Sequence, residues 1–106
     1  MEPKFLVNYS NEIVKIELSG RLDASNASVL QEELKKIIGS PVERLVFYAH
    51  NLEYISSAGL RVIIFAKQKI GLNAQVYFIG AKDMVLDTIK MSGLDTFMTI
   101  QDSYTE

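Results

Sequence analysis

Asn51-Leu52-Glu53-Tyr54-Ile55-Ser56-Ser57-Ala58-Gly59-Leu60-Arg61-Val62-Ile63-Ile64 is the stretch that decides how this chain is read. Just before it, Arg44 to Ala49 (Arg-Leu-Val-Phe-Tyr-Ala) is short and rich in β-branched and aromatic residues, which predicts a buried strand. After it, Leu60 to Ile70 is too long and too apolar for one strand and carries helical spacing. Two adjacent hydroxyls therefore sit where a helix begins. Ser56 suits the N-cap, because its side-chain oxygen can accept from an unpaired N–H of the first turn. Ser57 then takes the first helical position, exposed at the positive end of the helix. A phosphate there is compatible with the fold.

The 106 residues fit one domain spanning 1–106, long enough to bury a core without staples. Net charge is −2, so the basic footprint of a nucleic-acid binder is missing. There are no cysteines, which excludes disulfides and thiolate metal sites and fits a reducing cytoplasm. Met1-Glu2-Pro3-Lys4 does not open a signal peptide. The longest apolar stretch, Leu60 to Ala66, is interrupted by Arg61 and falls far short of the roughly 20 residues of a membrane span. A soluble cytoplasmic protein is expected.

Working outward, Phe5 to Tyr9 and Ile13 to Leu18 predict an antiparallel hairpin turned by Ser10-Asn11-Glu12, with Gly20 ending the second strand. Asp23 and Ser25 are candidate caps for a helix carrying Ala27, Leu30, Leu34, Ile37 and Ile38 on one face, with Glu32 and Lys36 paired. Gly39 and Pro41 stop it. Gln75 to Ile79 predicts another buried strand, Lys82 to Met91 a third helix closed by Ser92-Gly93, and Met98 to Ile100 a last short strand. Gln101 to Glu106 reads as frayed. The order β-β-α-β-α-β-α-β gives an α/β fold. Its sheet is mixed, four- to five-stranded, with an antiparallel first hairpin and helices packed against parallel strands.

Tyr54-Ile55-Ser56-Ser57-Ala58-Gly59-Leu60 resembles the signature of the STAS domain family, whose founding members are bacterial anti-sigma factor antagonists. That signature is an apolar pair, Asp, Ser, a small residue, Gly and Leu, leading from strand into helix. Leu18-Ser19-Gly20-Arg21-Leu22-Asp23 and Met91-Ser92-Gly93-Leu94 resemble two further family stretches in the same register, so the likeness covers essentially the whole chain. The resemblance implies a phosphorylation switch without catalysis and without cofactor or metal. An anti-sigma factor that is also a serine kinase binds the unmodified antagonist and phosphorylates it, and a serine phosphatase resets the cycle. By position the phosphoacceptor is Ser57, with Asp23, Ser56, Ala58 and Gly59 supporting the switch loop. Two positions depart from the family: Ser56 replaces its Asp, and Tyr48 stands where the preceding strand often carries Asp or Asn.

On a helical wheel Val62, Ile63, Ala66 and Ile70 face the sheet, while Arg61, Gln68 and Lys69 lie opposite. Ile64 and Phe65 flank Arg61 off the core side. With Leu60 and Arg61 they form a candidate partner surface, unless neighbouring helices or the C-terminal tail cover them.

Plainer readings stand beside these. The serines can be a simple cap, and a constitutive STAS subunit of a lipid-transport or signalling complex needs no modified serine. A hydrolase would have to recruit His50, the only histidine, and no G-x-S-x-G elbow surrounds Ser57, so His50 reads as a surface loop residue. Asp83 with Asp87, and Glu32 with Glu33, read as solvated helix faces. Met84, Met91 and Met98 read as core or semi-exposed packing.

Overall fold

The computed structural model describes residues 4–105. The N-terminal start from which a signal peptide was discounted lies largely outside them, as does Glu106. Lys4–Ser10 (β1) and Ile13–Leu22 (β2) form an antiparallel hairpin, with Ser10 opposite Ile13. Asn11 and Glu12 both take positive φ, +52° and +63°, the tight turn whose twist matches that of paired strands. Then follow Ala27–Lys35 (α1), Arg44–Ile55 (β3), Ser57–Lys69 (α2), Gln75–Ile79 (β4), Asp83–Ser92 (α3), a 3-10 turn over Leu94–Phe97, and Thr99–Gln101 (β5).

The strands lie in the order β1-β2-β3-β4-β5, parallel from β2 onward. Because each crossover leads to the next neighbour in one direction, right-handed connections place all three helices on one face. Alternation agrees: Val14, Ile16, Leu18 and Leu22 of β2, Leu45, Phe47 and Ala49 of β3, and Val76 and Phe78 of β4 join Leu30, Leu34, Val62, Ile63, Ala66, Val85 and Ile89 in the core.

Several predicted boundaries move. Gly20 does not end β2; it takes φ +74° inside the strand, which runs on to Leu22. β3 continues past Ala49 to Ile55, so His50 lies within a strand rather than a loop. Both extensions follow from register shifts between Glu17 and Ser19 and between Gly20 and Arg21, where extra β3 residues bulge and pairing resumes. α1 ends at Lys35; Ile37 is buried beyond it and Ile38 is exposed. Its ion pairs are Lys35–Glu32 and Lys36–Glu33, not Glu32–Lys36. Met84 and Met91 are exposed rather than packed.

The C-terminal tail is anchored, not frayed. Arg44 Nη1 donates to Tyr104 Oη at 3.0 Å, and the Tyr104 ring meets Tyr77 edge-on at 5.1 Å and Tyr48 at 6.4 Å. These residues share the helix-free face with Val46 and Ile79, both fully buried.

Candidate functional site

The first turn of α2 is mounted on the end of β2. Ser56 is extended (φ −96°, ψ 177°), and its backbone N–H donates to the Leu22 carbonyl at 2.9 Å. Its Oγ accepts from the Gly59 N–H at 3.4 Å, a long cap, as the sequence led us to expect of Ser56. Gly59 is buried, and a Cβ there would lie 2.8 Å from the Leu22 carbonyl oxygen and 2.8 Å from Ile55 Cγ1. Only glycine lets the helix lie this close to the strand end. Ala58 is half-buried, and Ser57 is the first helical residue and exposed.

The loop after β2 is held by its own side chains. Asp23 Oδ1 accepts from the Ser25 N–H at 3.0 Å and from Ser25 Oγ at 2.6 Å, and Oδ2 lies 3.4 Å from Arg21 Nε. The Ser25 hydroxyl, then its backbone N–H, hold the Asp23 carboxyl below the ordinary value. Neither Asp23 nor Ser25 is the N-cap of α1. That position is Asn26, whose Oδ1 accepts from the Asp23 N–H at 3.0 Å and whose Nδ2 donates to the Arg21 carbonyl at 2.7 Å. Asp23 contributes its carbonyl instead, accepting from the N–H groups of Asn26 and Ala27.

Arg21 and Tyr54 are register partners at this end of the sheet, and the guanidinium lies 4.2 Å from the Tyr54 ring centroid. Sequence reasoning passed over this pair because it ended both strands early.

Along α2, Val62, Ile63, Ala66 and Ile70 are buried, and Arg61, Gln68 and Lys69 are exposed. Leu60, Ile64 and Phe65 are half-buried and pack against the core. Ile64 and Phe65 are therefore not the freely exposed pair that the wheel suggested. The outward face is led by Ser57 and Arg61.

His50 is not brought to Ser57. Its ring rests against Gly80, and Nε2 lies 3.2 Å from the Asp102 carbonyl oxygen. A depression of about 200 Å³ lined by Leu6, Glu17, Tyr48, His50 and Asn51 includes no residue of α2. Among the described residues no cluster of three His, Asp or Glu could hold a metal ion, and no helix is long and apolar enough to cross a membrane.

A sheet with one antiparallel edge, helices on one face, and a serine opening the second helix beside a loop carrying Leu-Asp defines a recognisable class. The STAS domain family model matches residues 4–106, and the chain belongs to this family. BtrV of Bordetella bronchiseptica, named as a candidate anti-sigma factor antagonist, is 31% identical over 87 residues, covering 81% of this chain and 75% of BtrV. The anti-sigma-F factor antagonist RsfB of Mycobacterium tuberculosis is 23% identical over 99 residues, 90% of this chain and 81% of RsfB. Among solved structures, the fold matches the anti-sigma factor antagonist SpoIIAA unphosphorylated (TM-score 0.80, 19% identity, 97% of this chain and 90% of that one). It also matches the Bacillus protein phosphorylated (TM-score 0.73, 18% identity, 97% and 93%). At these identities the solved structures speak for the fold.

Proposed function

We propose that this protein is a non-catalytic, cytoplasmic anti-sigma factor antagonist: it binds an anti-sigma factor that is also a serine kinase, and phosphorylation of Ser57 releases it until a serine phosphatase removes the mark. The observation that carries this reading is the exposed Ser57 at the first position of α2, on a turn fixed to β2 by the Ser56–Leu22 hydrogen bond and the close approach of Gly59. The named relatives support the partner class, and SpoIIAA, solved with and without phosphate, supports the kind of switch.

Magnitudes favour release over unfolding. A phosphate adds roughly −1.5 to −2 charges at neutral pH. The end of a helix where N–H groups point outward favours an anion by about 0.3–1 kcal/mol. Like charges brought together in an interface cost several kcal/mol, and each 1.4 kcal/mol is about tenfold in affinity. The partner term dominates.

The test is affinity capture with Ser57→Ala and Ser57→Asp baits, coupled to kinase assay of what is captured. The alanine bait should hold an anti-sigma factor, the aspartate bait should lose it, and the captured kinase should add one phosphate to wild type and none to Ser57→Ala. Equal retention by both baits, or phosphate on Ser28 or Ser92, refutes the proposal. A constitutive STAS subunit is the second reading, favoured by Ser56, a neutral residue where the family carries Asp. It requires that intact mass from native cells be unchanged by phosphatase treatment.

A further inference from the structure

Arg61 follows Ser57 by four residues on α2, so the two side chains lie about 40° apart around the axis and one turn apart along it. Both are exposed. Side chains in a helix tilt toward its N-terminus, so the arginine leans back toward the serine. No hydrogen bond or ion pair engages either side chain among the described residues.

The other charges at this end sit on neighbouring elements, among them Lys82 and Asp83, exposed at the start of α3. Arg21 is stacked on Tyr54 and paired with Asp23, and Asp23 is bonded to Ser25. Glu53 is exposed on β3. Further along α2, Lys67 Nζ donates to the carbonyls of Gly71, Leu72 and Ala74 at 3.0–3.1 Å. Between Glu53 and Lys67 the sequence carries no charge except Arg61.

We infer that Arg61 is the internal counter-ion of phosphorylated Ser57, its guanidinium closing onto the phosphate oxygens across one turn of α2. This rests on the reading of Ser57 as phosphoacceptor. Acid and base at this spacing, with the anion N-terminal, form the favourable intrahelical pair, and a guanidinium matches phosphate oxygens two at a time. Phosphorylation then changes the surface twice: it adds an anion and withdraws a cation that was free. An acidic surface gripping Arg61 loses its contact and meets a repulsive group together. Arg61 acts as a positioning residue for the mark, not as a catalytic one.

The experiment uses full-length protein carrying phosphoserine installed at position 57 during translation, so that no kinase is required. The second ionisation of the phosphate, near pH 6 in a free phosphoserine, is followed by phosphorus NMR in wild type, Arg61→Gln and Arg61→Lys. Arg61 favours the dianion, so wild type should titrate about 0.3 unit below Arg61→Gln at low salt. Arg61→Lys should recover part of that difference, and molar salt should erase it. A phosphate that titrates identically in all three proteins overturns the inference, as does a wild-type value insensitive to salt. Since the serine is modified beforehand, a missing native kinase would sink the proposed function and leave this result standing.

Discussion

Replacing Gly59 with alanine sets two known effects against each other. Gly59 is the third residue of α2, and no positive φ marks it, so intrinsic propensity favours the alanine by about 1 kcal/mol. Against this, the new Cβ would lie 2.8 Å from the Leu22 carbonyl oxygen, 2.8 Å from Ile55 Cγ1 and 2.9 Å from Leu22 Cγ. Leu22 and Ile55 are at most 3% exposed, so their side chains have nowhere to go. The carbonyl oxygen cannot retreat either, because it accepts the Ser56 N–H at 2.9 Å. Relief requires the first turn of α2 to lift off β2. Overpacking costs about 1–3 kcal/mol and the weakened hydrogen bond about 1, so about 1–3 kcal/mol remains against the variant after the propensity gain. In a domain of this size that lowers the melting midpoint by at least about 4 °C. Thermal and urea melts should be run beside Gly39→Ala, where φ is +93° but nothing lies within 4 Å of the added carbon. That control isolates backbone strain from collision. If Gly59→Ala melts at or above wild type, propensity has won, and the close mounting of the serine turn is wrong.

Two further perturbations probe the loop after β2 and the tail. Asp23 titrates below its ordinary value of 3.8 in the folded chain, so its contribution to stability is complete above that value and is lost as pH falls through the lower, folded one. Urea titrations from neutral pH down to about pH 3 should therefore show wild type losing an advantage over Asp23→Asn only in the acid limb; parallel curves throughout would contradict the assignment. Tyr104→Ala removes the Arg44 bond and two ring contacts beside Val46 and Ile79, and should cost about 2 kcal/mol in urea unfolding. Tyr104→Phe, which keeps the rings, should cost less than about half of that; a wild-type melt for Tyr104→Ala would mean the tail is dispensable.

The order of elements was legible because each carries its own period: the two-residue alternation of Val14, Ile16 and Leu18, and the helical spacing of Val62, Ile63, Ala66 and Ile70. Strand ends were not. Side-chain alternation lapses at His50, Asn51, Glu53 and Tyr54, all exposed, yet the backbone keeps pairing with β2 across two bulges, and backbone pairing leaves no mark on composition. The Arg21–Tyr54 contact was lost with those ends. Asp23 was legible as a helix-start residue, but which residue caps depends on loop geometry, and Asn26 took the position. Tyr104 was hidden for another reason: a single aromatic in a polar tail gains its partners from strands far away in sequence. Phe65 and Ile64 show the limit of a wheel, which gives direction but not what neighbouring elements cover.

The pair of hydroxyls divides its labour, and that division is what makes a switch physically sensible here. Ser56 bears the structural duties: its N–H ties the turn to β2, its Oγ caps Gly59, and its carbonyl accepts the Leu60 N–H at 2.9 Å. A phosphate on Ser56 would sit on the very oxygen that caps Gly59, at a half-buried residue whose backbone is tied to β2. Ser57 is exposed and carries no such duty, so on the proposed reading a modification there reaches solvent without disturbing the turn beneath. One residue could not both cap the helix and offer a free hydroxyl; the Asp-Ser of the family signature and the Ser-Ser of this chain each supply two. With two, the cap can persist in both states. On the proposed reading, the partner therefore meets the same backbone before and after phosphorylation. What differs is charge and bulk at Ser57, together with the position of the Arg61 guanidinium one turn away.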